Sequence, residues 1–407
     1  MRKMVVLSLD AMFDRDLQYY HQDSWMGAFL AKSALCTQVK TVFPALTYPA
    51  HTTLITGCDP SEHGIGQNQP FQPEKEAAMR TWYWDAAEVK RETLLQAVKR
   101  QGGRCASILW PVTGKNPAVK WNFPEVLALP GENQTLKMLQ YGTWPWILHM
   151  ECKHGRERVS IHEPHLSDYA VILAQDVIRA HQPDLTLVHL VDVDEMRHHH
   201  GVDSPEAREG IQRMEKRVRA VWETMQSTKG MEDALFVLVS DHGQADVSRT
   251  VNLTEAMKKA GLADCAQVQS NGMSAYLFAC HEGGQGMERV ARWLREKGQA
   301  VGVKHLYTRD DLTRMGCVDG PLLAVEAAED VVFSDGLPQA KREKATHGFG
   351  PDHPAENCLL AVRGQRVREG AALPAMPMRD VAPTLAGLMG ISLPKAQGED
   401  HSDLIRK

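Results

Sequence analysis

Short apolar runs alternate along this chain with stretches in which apolar residues recur at every third and fourth position. The runs "MVVLSL" (4–9), "RCASIL" (104–109), "LTLVHLV" (185–191), "ALFVLVS" (234–240) and "CLLAVRG" (358–364) read as strands. Between them, "RETLLQAVKRQG" (91–102), "LSDYAVILAQDVIRAH" (166–181) and "EGIQRMEKRVRAVWETMQS" (209–227) carry the spacing of a helix with one buried face. That alternation predicts an α/β protein with a mainly parallel central sheet. Near the end, "RDVAPTLAGLMGISLP" (379–394) predicts a closing helix with a glycine stop and a proline after it. Residues 255–344 differ, with shorter elements such as "SAYLFAC" and "MERVARWLREKG". They predict an inserted, smaller α+β subdomain, leaving 1–254 and 345–407 as the core.

Composition adds mainly exclusions. The chain has 407 residues, 43% hydrophobic and 24% charged, as an ordinary globular protein does. A net charge of −5 leaves no polybasic footprint, which argues against nucleic acid as a bulk-charge partner. The apolar run after the basic start "MRK" ends at Asp10, too short and too acidic for a signal peptide. With no apolar run of about 18 residues, no membrane span is expected. Eight cysteines lie scattered without a CxxC pair and read as single buried thiols of a reducing compartment. A cytoplasmic location follows as an expectation; the oligomeric state does not.

The informative residues stand directly after the strands. "VVLSLD" ends in Asp10, "ALFVLVSDHG" in Asp241 and His242, and "LTLVHLVDVDEMRHHHG" in Asp192 and Asp194 with three histidines behind them. In open α/β sheets, working groups gather beyond the carboxyl ends of parallel strands, so these acids should converge on one crevice. A single Asp after a strand is usually a turn or a cap. Three strand ends sharing acids and histidines are harder to explain that way, and carboxylate with imidazole suits zinc, manganese or iron. His347 in "ATHGFGPDHP" extends the set. Within "DVDEMRHHHG", Asp194 and His198 are four apart and share a helix face, but spacing alone does not exclude His199 or His200.

A second stretch, "FPALTYPAHTTLITGCDPSEHGIGQN" (43–68), reads as an anion site with a hydroxyl in front of it. Pro49 suits the first turn of a helix "PAHTTLIT" and Gly57 its stop. The helix would present free N–H groups and its positive dipole end to an anion, with Thr47 just before that end. Alone, such a Thr reads as an N-cap. Beside a metal site, a coordinated hydroxyl loses its proton easily and attacks phosphorus.

With these residues in view, the chain resembles the nucleotide pyrophosphatase/phosphodiesterase (type I phosphodiesterase) branch of the alkaline phosphatase superfamily. The matching pieces, in order, are "LSLDAM", "LTYPAHTTLITGCDPSEHGIGQN", "DVDEMRHHHG", "SDHG" and "THGFG", with weaker echoes in "LWPVTG" and "DVAPTLAGLMGISLP". The resemblance implies an alkaline-phosphatase-like three-layer α/β/α sandwich and two divalent metal ions, zinc first and manganese as the alternative. It implies one ion held by Asp194, His198 and His347, and another by Asp10, Asp241, His242 and the Thr47 oxygen. It makes Thr47 the nucleophile and gives Asn68 a phosphoryl oxygen to bind. His63 and Gly64 then read as turn residues and His51 as a support for the helix. Two dications would outweigh three carboxylates by one unit, a cationic site in an acidic protein.

The implied substrate is a small-molecule phosphate ester. No Arg occurs between Arg15 and Arg80, so the Thr47 loop supplies no cation for a monoester's extra charge, which favours diesters, although an Arg from elsewhere in the fold could supply one. The resemblance implies diester or pyrophosphate bonds of nucleotide type. Six of nine tryptophans fall within 82–146, where aromatic faces could wall a base pocket, although core packing is the commoner fate of any one of them. The alternatives are a phosphonate hydrolase or phosphomonoesterase of the same superfamily, and a non-catalytic metal-binding relative.

Overall fold

A computed structural model describes residues 1–334, 343–350 and 353–407. Eight strands form its main sheet, in the order Met376–Pro377, Ala34–Lys40, Asn357–Arg363, Leu235–Val239, Met4–Leu9, Leu185–Leu190, Cys105–Ile108, Val119–Phe123. Met4–Leu9 lies at its centre, parallel to both neighbours, with Val6 opposite Leu187 and Val237. Asn357–Arg363 runs antiparallel to the strands on either side of it, so the sheet is mixed but mainly parallel.

All five expected strands are present to within one or two residues. Two neglected ones are Ala34–Lys40 and Val119–Phe123, "ALCTQVK" and "VKWNF". Both lie toward the sheet's margins and carry polar residues that hide them from a search for apolar runs.

Side-chain alternation divides the core into two layers. Met4, Val6, Leu185, Leu187, Leu235 and Val237 face one side. There they pack on Leu54 and Ile55 of the helix Thr47–Thr56, on Leu94–Arg100, and on the closing helix Val381–Met389. Val5, Leu7, Val188, Leu190, Phe236 and Leu238 face the long helices His165–His181 and Pro205–Ser227 on the other. The result is the expected three-layer α/β/α arrangement. Among the described residues no helix is long and apolar enough to cross a membrane.

A separate antiparallel sheet has the order Val303–Thr308, Leu323–Ala327, Ser274–Ala279, Ala266–Ser270. One face packs on the helix Met287–Lys297. The other carries Tyr276 and Phe278 against Phe43, in the loop that leads to Thr47. Residues 335–342, at the end of the expected 255–344 insertion, lie outside the described residues.

One buried charge pair fixes the helix that carries Asp194 and His198. Arg197 is fully buried, donates to both carboxylate oxygens of Asp16 and to the carbonyl of Ala11, and lies over the Phe13 ring. Replacing one member of a buried pair strands the other charge, at about 3–5 kcal/mol. Arg197→Met should therefore lower unfolding free energy by about that amount in urea titrations. Asp16→Asn combined with it should recover part of the loss; equal stability of Arg197→Met and wild type would contradict this account.

Candidate active site

Three adjacent central strands deliver the acids. Asp10 follows Met4–Leu9, Asp241 and His242 follow Leu235–Val239, and the helix Asp192–His200 follows Leu185–Leu190. Asp10, Asp241 and His242 are completely or almost completely buried. Their ligand atoms lie within 4.8 Å of one another, and so do those of Asp194, His242 and His347. His242 thus stands between two clusters, its ring stacked on His347 at 3.9 Å.

The helix Asp192–His200 resolves the choice left open by spacing. Asp192 points away, held by Arg213 (2.7 Å) and Arg217 (2.5 Å). His199 sits at the surface beside Glu195 and His200 near Glu206. Asp194 and His198 share the inner face, with His198 Nε2 3.4 Å from Asp194 Oδ2. His347 Nε2 is 3.9 Å from Asp194 Oδ1.

Each inward histidine has its other nitrogen against a backbone carbonyl. His198 Nδ1 is 3.0 Å from Ala345 O, His347 Nδ1 2.9 Å from Ala45 O, and His242 Nδ1 3.3 Å from Gly243 O. A ring N–H donated there turns Nε2 inward, and on His242 and His347, held neutral by burial, that nitrogen carries the lone pair a metal requires. Gly348 makes the sharp turn after His347. Its φ is +91°, and a Cβ would stand 1.8 Å from the carbonyl oxygen of Asn271.

The centre of this hollow is crowded with acceptors. His242 Nε2 lies 3.2 Å from Asp241 Oδ2 and 3.6 Å from Asp10 Oδ1, and both oxygens are buried without a hydrogen-bond donor. Burial and the neighbouring Asp194 charge push the Asp10 carboxyl up to about 7. Burial and Asp10 likewise push Asp241 well above the usual carboxylate range. Burial holds His242 and His347 below the ordinary histidine value. At His198 burial also opposes the charge, but Asp194 outweighs it and raises the ring to about 10. Orphaned oxygens facing imidazole lone pairs fit a cation: Asp10, Asp241 and His242 could hold one, and Asp194, His198 and His347 another.

Thr47 meets this hollow from the helix start, its Oγ1 3.2 Å from His242 Nε2. The helix begins at Thr47 and not at Pro49; Leu46 is the N-cap residue and makes no side-chain cap bond. Pro49 at the third position costs no hydrogen bond, because N–H groups of the first turn lack helical partners anyway. The expected cradle of free N–H groups is correspondingly smaller. Pro49 has none, and the Tyr48 N–H donates to Asn68 Oδ1 at 3.0 Å. That bond occupies the Asn68 side-chain oxygen and so assigns the other position of the amide to its nitrogen, a donor.

His51 ties this helix to the sheet, Nδ1 against Thr47 O and Nε2 against Ser8 Oγ, both at 2.8 Å. His63 closes the turn behind it: its Nδ1 accepts from the Ile65 N–H and its Nε2 meets Thr53 Oγ1. Of the six clustered tryptophans, Trp84, Trp110, Trp121 and Trp146 are core residues, and Trp144 is exposed. Trp82 packs edge-on against Tyr48 at 5.2 Å.

Sequence reasoning missed His189 and Glu125. His189 Nε2 is 2.9 Å from Asp10 Oδ2, and its Nδ1 is 3.1 Å from Glu125 Oε2. The signal was available: Ser8 and His189 are polar positions near the carboxyl ends of strands that are fully buried and, Thr186 apart, otherwise apolar. Nothing in "FPEV" marks Glu125, which reaches the site only through the fold.

Human ectonucleotide pyrophosphatase/phosphodiesterase family member 1 is 21% identical over 244 residues, which is 56% of this chain and 22% of that protein. Human family member 7 is 22% identical over 262 residues, 61% of this chain and 49% of that protein. The chain thus spans only part of the curated relatives it matches. Among solved structures, human ectonucleotide pyrophosphatase/phosphodiesterase 5 superposes with a TM-score of 0.73 at 20% identity, covering 100% of both chains. An inactive threonine-to-alanine variant of the murine protein, in complex with AMP, gives 0.74 at 18% identity, again covering 100% of both. At these identities the structures establish the shared alkaline-phosphatase-like fold. The family model for type I phosphodiesterase/nucleotide pyrophosphatase matches residues 4–349, and the chain belongs to that family.

Proposed function

We propose that the protein hydrolyses phosphodiester or pyrophosphate bonds of nucleotide-type substrates, with Thr47 as nucleophile and two divalent cations, zinc before manganese. The observation that carries this reading is the convergence of the unpartnered Asp10 and Asp241 oxygens and the Thr47 hydroxyl on His242 Nε2. Bound dications would supply Lewis-acid stabilisation of the attacking and departing oxygens. The chain's own residues do the rest. Thr47 Oγ attacks phosphorus in line, the ester oxygen leaves, and water then hydrolyses the phospho-threonine. The Asn68 amide donates to a non-bridging oxygen, and the half-buried Trp82, packed edge-on against the buried Tyr48 ring, is the aromatic side chain that could meet an aromatic substituent.

Two related proposals concern setting. We read 255–344 as an inserted unit, of which the described part around Gln269 and Met273 walls the crevice. In support, Gln269 Nε2 donates to Gln69 O (3.2 Å) beside Asn68, and Met273 N–H to His347 O (2.8 Å). A cytoplasmic location is supported by the eight unpaired cysteines.

Purified protein loaded with zinc or manganese should turn over bis-p-nitrophenyl phosphate faster than p-nitrophenyl phosphate. Thr47→Ala should lower diester kcat by at least about 10³-fold with fold and metal content retained, and Thr47→Ser should keep part of the rate. Undiminished turnover by Thr47→Ala would remove the nucleophile assignment, and a monoester preference would redirect the reading to a phosphatase. Chelation should abolish activity, and added zinc should restore it.

The acid cluster also sets a pH dependence. The metal-free fold raises Asp10 to about 7, above its unfolded value. Its stabilising contribution is therefore complete below about pH 4 and is lost as pH rises through about 7. A bound dication would reverse that penalty. The gain in Tm on adding zinc should accordingly grow between about pH 5 and about pH 8 in scanning fluorimetry. An equal gain at both ends would count against Asp10 as a ligand.

A further inference from the structure

The metal-ligating carboxylates and the helix carrying Thr47 are joined by a hydrogen-bond chain that runs through two residues outside the proposed ligand set. His189 Nε2 meets Asp10 Oδ2 at 2.9 Å. His189 Nδ1 meets two further acceptors, Leu109 O at 3.2 Å and Glu125 Oε2 at 3.1 Å. Both ring nitrogens thus face acceptors only, and both must donate. The other oxygen of Glu125 accepts from the Tyr48 hydroxyl at 3.2 Å, and the Tyr48 N–H donates to Asn68 Oδ1 at 3.0 Å.

The direction of these bonds has a consequence for Asp10. One oxygen is engaged by His189, and the other, Oδ1, is buried without a donor and turned toward His242. An aspartate has free rotation about its last torsion and two equivalent oxygens. A donor fixed on one of them selects which oxygen is offered to a cation. His189 is itself immobilised, fully buried with the His51 ring 4.3 Å away, and Glu125 sets its ring orientation from the crevice side, where it is partly exposed.

We propose that Glu125 and His189 form a positioning dyad for Asp10: the dyad holds one carboxylate oxygen so that the other is presented to the metal, and through Tyr48 it couples that ligand to the phosphate-binding Asn68. Neither residue touches the reacting atoms. The inference rests on the two-metal reading above, and the experiment separates the two.

Zinc affinity of both equivalents is measured by competition with a chromophoric chelator, in wild type and in His189→Asn, His189→Gln and Glu125→Gln. Circular dichroism and thermal midpoint report the fold. Asn reaches only the Nδ1 side of the lost ring, whereas Gln can place an amide N–H where Nε2–H stood. His189→Asn should therefore loosen one zinc equivalent by about 10- to 100-fold and leave the other unchanged. His189→Gln should recover most of that loss, and Glu125→Gln, at a partly exposed site, should cost about tenfold. Diester kcat should follow occupancy and return with excess zinc. Unchanged affinity in all three variants overturns the dyad while leaving the two-metal reading intact. Equal loosening of both equivalents with a lower thermal midpoint also overturns it, since it marks a general packing role. A wild-type chain that binds neither zinc nor manganese overturns both readings.

Discussion

Acceptors crowded against acceptors in a buried hollow are the constraint from which the rest of this structure can be understood. Asp10, Asp241 and Asp194 sit at the carboxyl ends of three adjacent central strands or on the helix that follows one of them. The imidazole nitrogens that meet them face inward because their partners are backbone carbonyls. Without a cation, like charges repel at short range in a low dielectric: Asp10 and Asp241 respond by holding their protons, whereas the neighbouring histidines, outweighing burial, keep Asp194 ionised. Such an arrangement persists only if the surrounding fold overdetermines it. The central strands are buried on both faces, and the buried Arg197–Asp16 pair pins the helix bearing Asp194 and His198. The proposed dications turn this repulsion into binding energy.

How far the sequence disclosed this can be argued residue by residue. Runs of apolar residues identified the central strands because those strands are covered by helices on both sides. Ala34–Lys40 and Val119–Phe123 lie nearer the margins, where polar residues are tolerated, and so went unseen. The strand-end acids were legible because a carboxylate directly after a buried strand has few places to go except the sheet's carboxyl edge. Spacing put Asp194 and His198 of "DVDEMRHHHG" on one helix face but left His199 and His200 open, and only the arginines of the helix Pro205–Ser227 show why Asp192 is excluded. Those arginines lie 21 and 25 residues downstream of it, beyond any local pattern.

Glu125 was illegible for a related reason. Its contribution depends on the Val119–Phe123 strand returning to the sheet's edge, which brings the nearby Glu125 to His189. His189 itself was visible as a polar interruption in "LTLVHLV", and so was Ser8 in "MVVLSL". Both lie on the face that packs against the Thr47 helix, since Ser8 continues the Met4, Val6 alternation and His189 the Leu185, Leu187 alternation. Polar residues at the last inward position of a buried strand thus pointed to the site as clearly as the acids after it.

The start of the Thr47 helix shows how a small shift in an element boundary alters the chemistry assigned to it. A Thr at the N-cap would spend its hydroxyl on a backbone N–H two or three residues ahead. Here Leu46 holds the cap position, and the N–H groups that a cap would satisfy are otherwise disposed of: Pro49 has none and Tyr48 donates to Asn68. The Thr47 hydroxyl is released from structural duty and turns to His242. The same bond that relieves it also orients Asn68, and the same tyrosine reaches Glu125 through its ring hydroxyl. The start of the helix, the Asn68 proposed to bind phosphate and the Glu125 proposed to support a metal ligand are therefore one connected set. A change at Tyr48 that preserved the aromatic ring but removed the hydroxyl would separate the backbone link from the side-chain link.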